Sequence, residues 1–293
     1  MHSSLPPRVA AIHDLSCFGR CALTVVMPTL SVMGYQVVPI PTALLSTHTG
    51  GFDAIRFRDL TADMDAIAAH FAELGVSFRA IYTGFLGSAE QIETVSHFLD
   101  RFASAADGSG QLPLILIDPV MGDDGVPYST YTPELIRGMK RLAARAQLLT
   151  PNLTEACFLT DTPWVDTRTL SEDDALALAY RLLDRLESLA EGRIVITGVH
   201  LADGSLANVG RDLDGSRFCV RRPHEGRPYP GTGDLFASVL LGALLDGDAF
   251  PLACERAATF TGEVIRDSAR YDTPVREGVA LESHLWRLAP RKG

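Results

Sequence analysis

The sequence predicts an α/β fold on a largely parallel sheet. Apolar runs of strand length alternate with longer stretches of helical period. Polar residues with chemical capacity recur where those runs stop, as strand ends do when they line a ligand crevice. The length, 293 residues, suits one large domain over 1–293, and neither an internal repeat nor a domain-sized linker interrupts it.

The elements follow in order. Residues 9–12 read as a first strand and 18–33 as a helix bent at Pro28. A strand at 37–40 leads into a Ser/Thr/Gly-rich loop at 46–51. A helix at 63–74 precedes a short strand at 80–83, closed by Gly84. Residues 89–102 form a helix and 105–111 a polar loop. The clearest buried strand is 114–117, four apolar residues ending at Asp118-Pro119. Leu148-Leu149 ends at Thr150-Pro151-Asn152, and the strand at 194–196 ends at Thr197-Gly198. Residues 206–209 and 217–221 pair late and antiparallel, and helices from Asp234 and over 251–266 close the domain. Strand–helix alternation of this kind implies parallel pairing with right-handed crossovers.

Composition narrows the function classes. Hydrophobic residues at 46% and charged residues at 21% are ordinary for a folded soluble protein. A net charge of −10 argues against a nucleic-acid binder, though local donors can still hold an anionic substrate. The odd set Cys17, Cys21, Cys157, Cys219 and Cys254 lacks metal-site spacing and reads as reduced core thiols of a cytoplasmic protein. Cys17 and Cys21 could pair on a helix, but no second pair completes a site. Residues 1–8 show no apolar signal region, and no apolar stretch reaches the roughly 18 residues of a membrane span.

Gly231-Thr232-Gly233-Asp234, followed at once by the apolar run 235–245, is the most informative motif. The glycines allow a tight turn, and the helix start behind them offers unpaired N–H donors to phosphate. A carboxylate there repels phosphate unless it takes a proton from an attacking hydroxyl; its other reading is a helix cap. Asp14, Thr83, Asp118, Thr150, Asn152, Thr197 and Asp234 all fall at strand ends or a helix start. The segment from Asp118 to Gly125 reads either as an acidic surface turn or as a glycine-hinged lid over metal-bound phosphates. Thr150-Pro151-Asn152-Leu153-Thr154-Glu155 reads as a strand end and helix start, with Asn152 and Glu155 open as outer ligands of hydrated Mg²⁺. The stretch 42–52 reads as a flexible loop or as the lining of a pocket for a small polar ring. His48 alone does not suggest a base, and neither does His13 beside Asp14. No Walker A, Gly-x-Gly-x-x-Gly, Gly-x-Ser-x-Gly or His-Glu-x-x-His pattern is present.

Taken jointly and in this order, the Asp118–Asp123, Thr150–Glu155 and Gly231–Asp234 segments resemble the ribokinase-like superfamily. The segments Ile12-His13-Asp14, Ser46-Thr47-His48-Thr49-Gly50 and Thr83-Gly84-Phe85-Leu86-Gly87-Ser88 extend the resemblance to its pyridoxal kinase family, over nearly the whole chain. The resemblance implies a three-layer α/β/α sandwich and ATP-dependent phosphorylation of a hydroxymethyl group, the 5′-hydroxyl of a B6 vitamer. It makes Asp234 the catalytic base, with the Gly231 and Gly233 backbone as anion hole. Thr150, Thr197 and Thr232 become nucleotide contacts, and Asp118 stands on the phosphate side. Asn152 and Glu155 lie in the Mg²⁺ region, and dependence on a monovalent cation is left open. Tyr128 or Tyr131 is the lid tyrosine. Thr49, His48, Phe85 and Asp14 fall at the pyridine ring. Family members are commonly homodimers, without nucleic-acid or membrane partners. Asp14 stands where better-known relatives have Ser, and Phe85 where many have Tyr. An anionic Asp14 favours a cationic ring or amine, hence pyridoxamine or pyridoxine beside pyridoxal. Hydroxymethylpyrimidine kinases share this motif set, and a silent pyridoxal-phosphate-binding relative is the non-enzymatic alternative.

Overall fold

The computed structural model describes residues 5–225 and 227–290; the start of the 1–8 segment, Met1 to Ser4, lies outside them. In chain order the elements are β1 (Arg8–Phe18), α1 (Leu23–Val32), β2 (Gln36–Thr47), β3 (Phe57–Asp59), α2 (Thr61–Glu73), β4 (Ala80–Thr83), α3 (Ala89–Phe102) and β5 (Leu114–Ile117). They continue through β6 (Gly122–Asp123), β7 (Val126–Pro127), α4 (Pro133–Ala143), β8 (Leu148–Leu149), α5 (Leu153–Leu159) and α6 (Glu172–Glu187). The last are β9 (Arg193–His200), β10 (Ser205–Arg211), β11 (Arg217–Pro223), α7 (Thr232–Leu245) and α8 (Phe250–Arg270).

The main sheet has nine strands in the order β11-β10-β9-β8-β5-β4-β1-β2-β3. Its centre, from β2 to β9, pairs in parallel. The edges are antiparallel: β3 on β2, and β10 and β11 beyond β9. Alternating side chains of each central strand feed two separate cores, as a strand covered on both faces requires. Ala10, Ile12, Ile81, Ile115, Ile117, Ile194 and Ile196 pack beneath α2 to α6. Val9, Ala11, Ala80, Tyr82, Leu116 and Val195 pack against α1, α7 and α8. This is the three-layer α/β/α arrangement. Helix α7 is buried from Leu235 through Ala243, which explains its continuous apolar run.

Several elements differ from the sequence reading. The stretch 18–33 is not one helix: β1 continues to Phe18, and α1 starts at Leu23 after Ala22 takes φ 48°. Asp14 therefore lies within β1, where its register with β2 shifts between His13 and Leu15. β2 likewise runs to Thr47, taking in the first residues of the expected 46–51 loop. The strand pattern misled because the ends of β1 and β2 leave the covered part of the sheet and lose their apolar alternation. Cys17 lies on β1 and is exposed, so it shares no helix with Cys21; the free thiols at Cys21, Cys157 and Cys254 are buried.

Leu240 of α7 is fully buried between sheet and helices. Leu240→Ala is expected to cost about 2–5 kcal/mol. Leu252→Ala, on the exposed side of α8, should stay within about 0.5 kcal/mol. Urea unfolding midpoints of the two variants check the difference.

Candidate active site

A strand order that reverses direction leaves a crevice at the carboxyl ends of the strands on either side of the reversal. Here β1 is that strand, with β2 on one side and β4 on the other. A cleft of about 1060 Å³ opens at this edge. It is lined by most of the residues nominated from sequence: Asp14, His48, Thr49, Phe85, Asp118, Tyr128, Thr150, Asn152, Glu155, Thr197 and the turn Gly231 to Asp234. Of the strand-end residues only Thr83 is absent from the lining; it is fully buried beneath. Tyr131 is also absent: it is buried against Phe85, with ring centroids 6.2 Å apart, whereas Tyr128 lines the cleft.

The turn before α7 depends on close backbone approach. Gly231 has φ 79°, and a Cβ there would overlap the Arg20 carbonyl oxygen. That contact seats the start of α7 on the segment between β1 and α1. From the same segment the Ala22 N–H donates to Asp234 Oδ2 at 2.8 Å. Space around Gly233 is open, so the first amides of α7 face the cleft without obstruction. Asp234 is thus both a first-turn acid and a fixed carboxylate whose other oxygen remains free for a proton.

Negative charge is crowded and poorly hydrated here. Burial pushes Asp234 up to about 7, with the Ala22 hydrogen bond opposing and the Asp14 carboxylate adding to the rise. Burial, and then Asp234, hold Asp118 well above the usual carboxylate range. Burial and Asp118 do the same for Glu155, against the pull of two backbone N–H donors. Asp14, which accepts from Ser16 Oγ at 2.9 Å, is likewise raised by burial. Among the described residues none of these carboxylates pairs with Lys or Arg; the nearest basic group is His13, whose Nδ1 lies 3.8 Å from Asp234 Oδ1.

Asn152 and Glu155 form a capping box at the start of α5. Glu155 Oε2 accepts from Asn152 N–H at 2.7 Å, and Asn152 Oδ1 accepts from Glu155 N–H at 2.9 Å. Glu155 Oε1 also accepts from Met121 N–H at 3.1 Å, and Asn152 Nδ2 donates to the Gly122 carbonyl. One carboxylate thereby ties the β6–β7 hairpin to the helix start. The glycines of that hairpin are required by its shape. A Cβ at Gly122 would overlap the Val126 carbonyl, and one at Gly125, φ 77°, would meet the Trp164 ring. Thr154 Oγ1 accepts from Gly125 N–H, and Arg168 pairs with Asp124 at 3.1 Å.

The sequence reading weighed His13 and set it aside as a base; it is fully buried beside Asp234. That reading missed Trp164, His200, His224 and Arg227 on the cleft wall. The last four lie in segments without local pattern, so only the fold brings them together. The signal for His13 was Gly84, a glycine across the sheet whose Cβ would overlap His13 Nδ1.

The donor set suits Mg²⁺: it is oxygen-rich, and its carboxyl groups have no Lys or Arg partner among the described residues. No ready cluster of three or more His, Cys, Asp or Glu ligands occurs among the described residues, consistent with a metal held largely through water and substrate phosphates. No helix among them is long and apolar enough to cross a membrane.

The comparisons with known proteins fit this geometry. The phosphomethylpyrimidine kinase family model matches residues 9–277. The chain belongs to that family. It is 38% identical to a candidate phosphomethylpyrimidine kinase of Bacteroides thetaiotaomicron solved with pyridoxal; the likeness covers 97% of this chain and 96% of the other, with a TM-score of 0.84. It is 27% identical to a pyridoxine/pyridoxal/pyridoxamine kinase of Bordetella avium, over 95% of this chain and 93% of that one. A hydroxymethylpyrimidine/phosphomethylpyrimidine kinase of Mycobacterium tuberculosis is 29% identical, over 97% and 96%.

The raised carboxylates carry a stability signature. A buried Asp118 keeps its proton to higher pH than it does in the unfolded chain. Its destabilising effect is absent below the unfolded value, grows as pH rises, and is complete above the folded value. Nucleotide-free Asp118→Asn should therefore melt above wild type at pH 8.5, by roughly 2–4 °C for each kcal/mol relieved. The gain should shrink toward pH 4.5. Thermal melts across that range check it; a pH-independent difference would mean that Asp118 is not strained by its charge.

Proposed function

We propose that the protein is an ATP-dependent kinase that phosphorylates the 5′-hydroxymethyl group of pyridoxal, pyridoxamine or pyridoxine. One observation carries the chemistry. Asp234 sits in the first turn of a buried helix, one oxygen pinned by Ala22 N–H, with its carboxyl raised to about 7. A group with that affinity for protons is suited to general-base work at neutral pH. The choice of a B6 vitamer rests on the pyridoxal-bound Bacteroides relative and on the pyridoxine/pyridoxal/pyridoxamine kinase of Bordetella.

In this reading the acceptor hydroxyl gives its proton to Asp234 while its oxygen bonds to the γ-phosphorus of ATP. The bond to the departing ADP oxygen breaks in the same displacement. The amides of Gly231 to Gly233 and the positive end of α7 hold the equatorial charge. Thr150, Thr197 and Thr232 contact the nucleotide, and Asp118 and Tyr128 border its phosphates. Asn152 and Glu155 would hold hydrated Mg²⁺, which when bound neutralises phosphate charge. His48, Thr49, Phe85 and Asp14 form the ring pocket. The same reading places the enzyme in the cytoplasm, as one kinase domain. It has the exposed rings of Phe18 and Phe57 available to a second copy.

A second reading has a specific support: the family description and the mycobacterial relative name phosphomethylpyrimidine kinases. Incubation with Mg-ATP and, separately, pyridoxal, pyridoxamine, pyridoxine and hydroxymethylpyrimidine decides between them by phosphorylated product. Formation of none would leave a silent binder.

Asp234→Asn keeps the shape and removes the base. Its kcat should fall about 10²–10⁴-fold with nucleotide binding retained, measured by steady-state kinetics and nucleotide titration. Asp14→Ser removes the carboxylate proposed to face the ring and its substituents. Its kcat/KM should fall on the order of tenfold more for pyridoxamine, which carries a cationic amine, than for pyridoxal. Equal losses would make Asp14 a shaper of the pocket rather than a reader of charge.

A further inference from the structure

We infer that His13 is a positioning residue for the base, its Nδ1–H supplying the hydrogen bond that steadies Asp234 Oδ1 as the acceptor hydroxyl arrives. The inference rests on the reading of Asp234 as the base. His13 lies on β1, fully buried, and both of its ring nitrogens lack a partner. A buried polar atom left unpaired costs about 1–3 kcal/mol, so two on one ring need a reason. Packing alone does not give one. The ring sits edge-on to Tyr82 with centroids 4.3 Å apart, a place that a phenylalanine or leucine would fill without that cost.

The direction of the ring is informative. Nδ1 lies 3.8 Å from Asp234 Oδ1, a small tilt from hydrogen-bond range. Asp234 Oδ2 is already held by Ala22 N–H, so Oδ1 is the oxygen with freedom to swing. Gly84 leaves the ring its space, since any Cβ there would overlap Nδ1. Burial pushes the imidazole down to about 3, so it stays neutral and carries one proton. A lone pair on Nδ1 would face a carboxylate oxygen and repel it. The proton therefore belongs on Nδ1, and the ring acts as a donor that never competes for the substrate's proton. Catalytic hydrogen bonds are often long before substrate binds and shorten in the complex.

The test separates positioning from packing. Nitrogen-15 NMR of labelled imidazole in the wild-type protein should show His13 as the neutral Nδ1–H tautomer; the Nε2–H tautomer overturns the inference whatever the variants do. His13→Leu should lower kcat about tenfold to a hundredfold, with the KM for ATP within about twofold. His13→Asn, whose amide can take the place of Nδ1, should recover most of that loss, and His13→Gln, whose amide reaches toward Nε2, should not. A His13→Leu enzyme as fast as wild type, in a background where Asp234→Asn is inactive, overturns the role of His13 and leaves the base standing. Normal turnover in Asp234→Asn overturns the base and this inference with it.

Discussion

The organising constraint is the burial of several carboxyl groups at one edge of the sheet. Asp118, Glu155 and Asp234 are withdrawn from water around a single cleft, without a Lys or Arg counterion among the described residues. Left alone, such a group is a liability to the fold, since a desolvated carboxylate is costly and its neighbours make it more so. The cost becomes intelligible once the cleft has cationic work to do. In the proposed reaction a divalent ion and a transferring phosphoryl group would meet donors that the fold already holds in place, so little reorganisation would remain. Local backbone donors moderate the strain where they can: Ala22 on Asp234, and Asn152 and Met121 on Glu155.

The rest of the fold delivers those groups to one place. The parallel strands stop together at the cleft, and each hands its next residue to it. Two cores, one on each face of the sheet, keep that edge rigid. The glycines at the site act as spacers for close approach. Gly231 lets α7 touch Arg20, Gly84 clears room for His13, and Gly122 and Gly125 fold the hairpin against α5 and Trp164. The hairpin is pinned by Thr154 and Arg168, so its acidic tip has a defined resting position.

Much of this was legible from residues alone. Strands bounded by buried partners on both faces, 80–83 and 114–117, declare themselves through short unbroken apolar runs, and α3 through its strong amphipathic period. The Gly-Thr-Gly-Asp turn announces the helix start, and the polar residues after each strand announce the crevice. What failed was the far half of β1 and β2. Beyond the register shift at His13 these strands leave the sandwich, and a sequence such as Leu15-Ser16-Cys17-Phe18 keeps no period that separates strand from helix. The α4 and α6 helices were left unassigned although both are amphipathic, with clear apolar stripes that pack on the sheet. His13 was illegible because burial removed the property, charge at neutral pH, by which histidine is usually judged.

The hydrogen bond from Ala22 to Asp234 joins positions 212 residues apart. Closing so long a loop has an entropic cost that only the intervening sheet and both helical layers can offset. The proposed base therefore owes its position to a contact between distant parts of the chain. Where α7 is not docked on the segment before α1, Asp234 lacks that hydrogen bond. The proposed chemistry thus depends on tertiary packing and is encoded in no single local element.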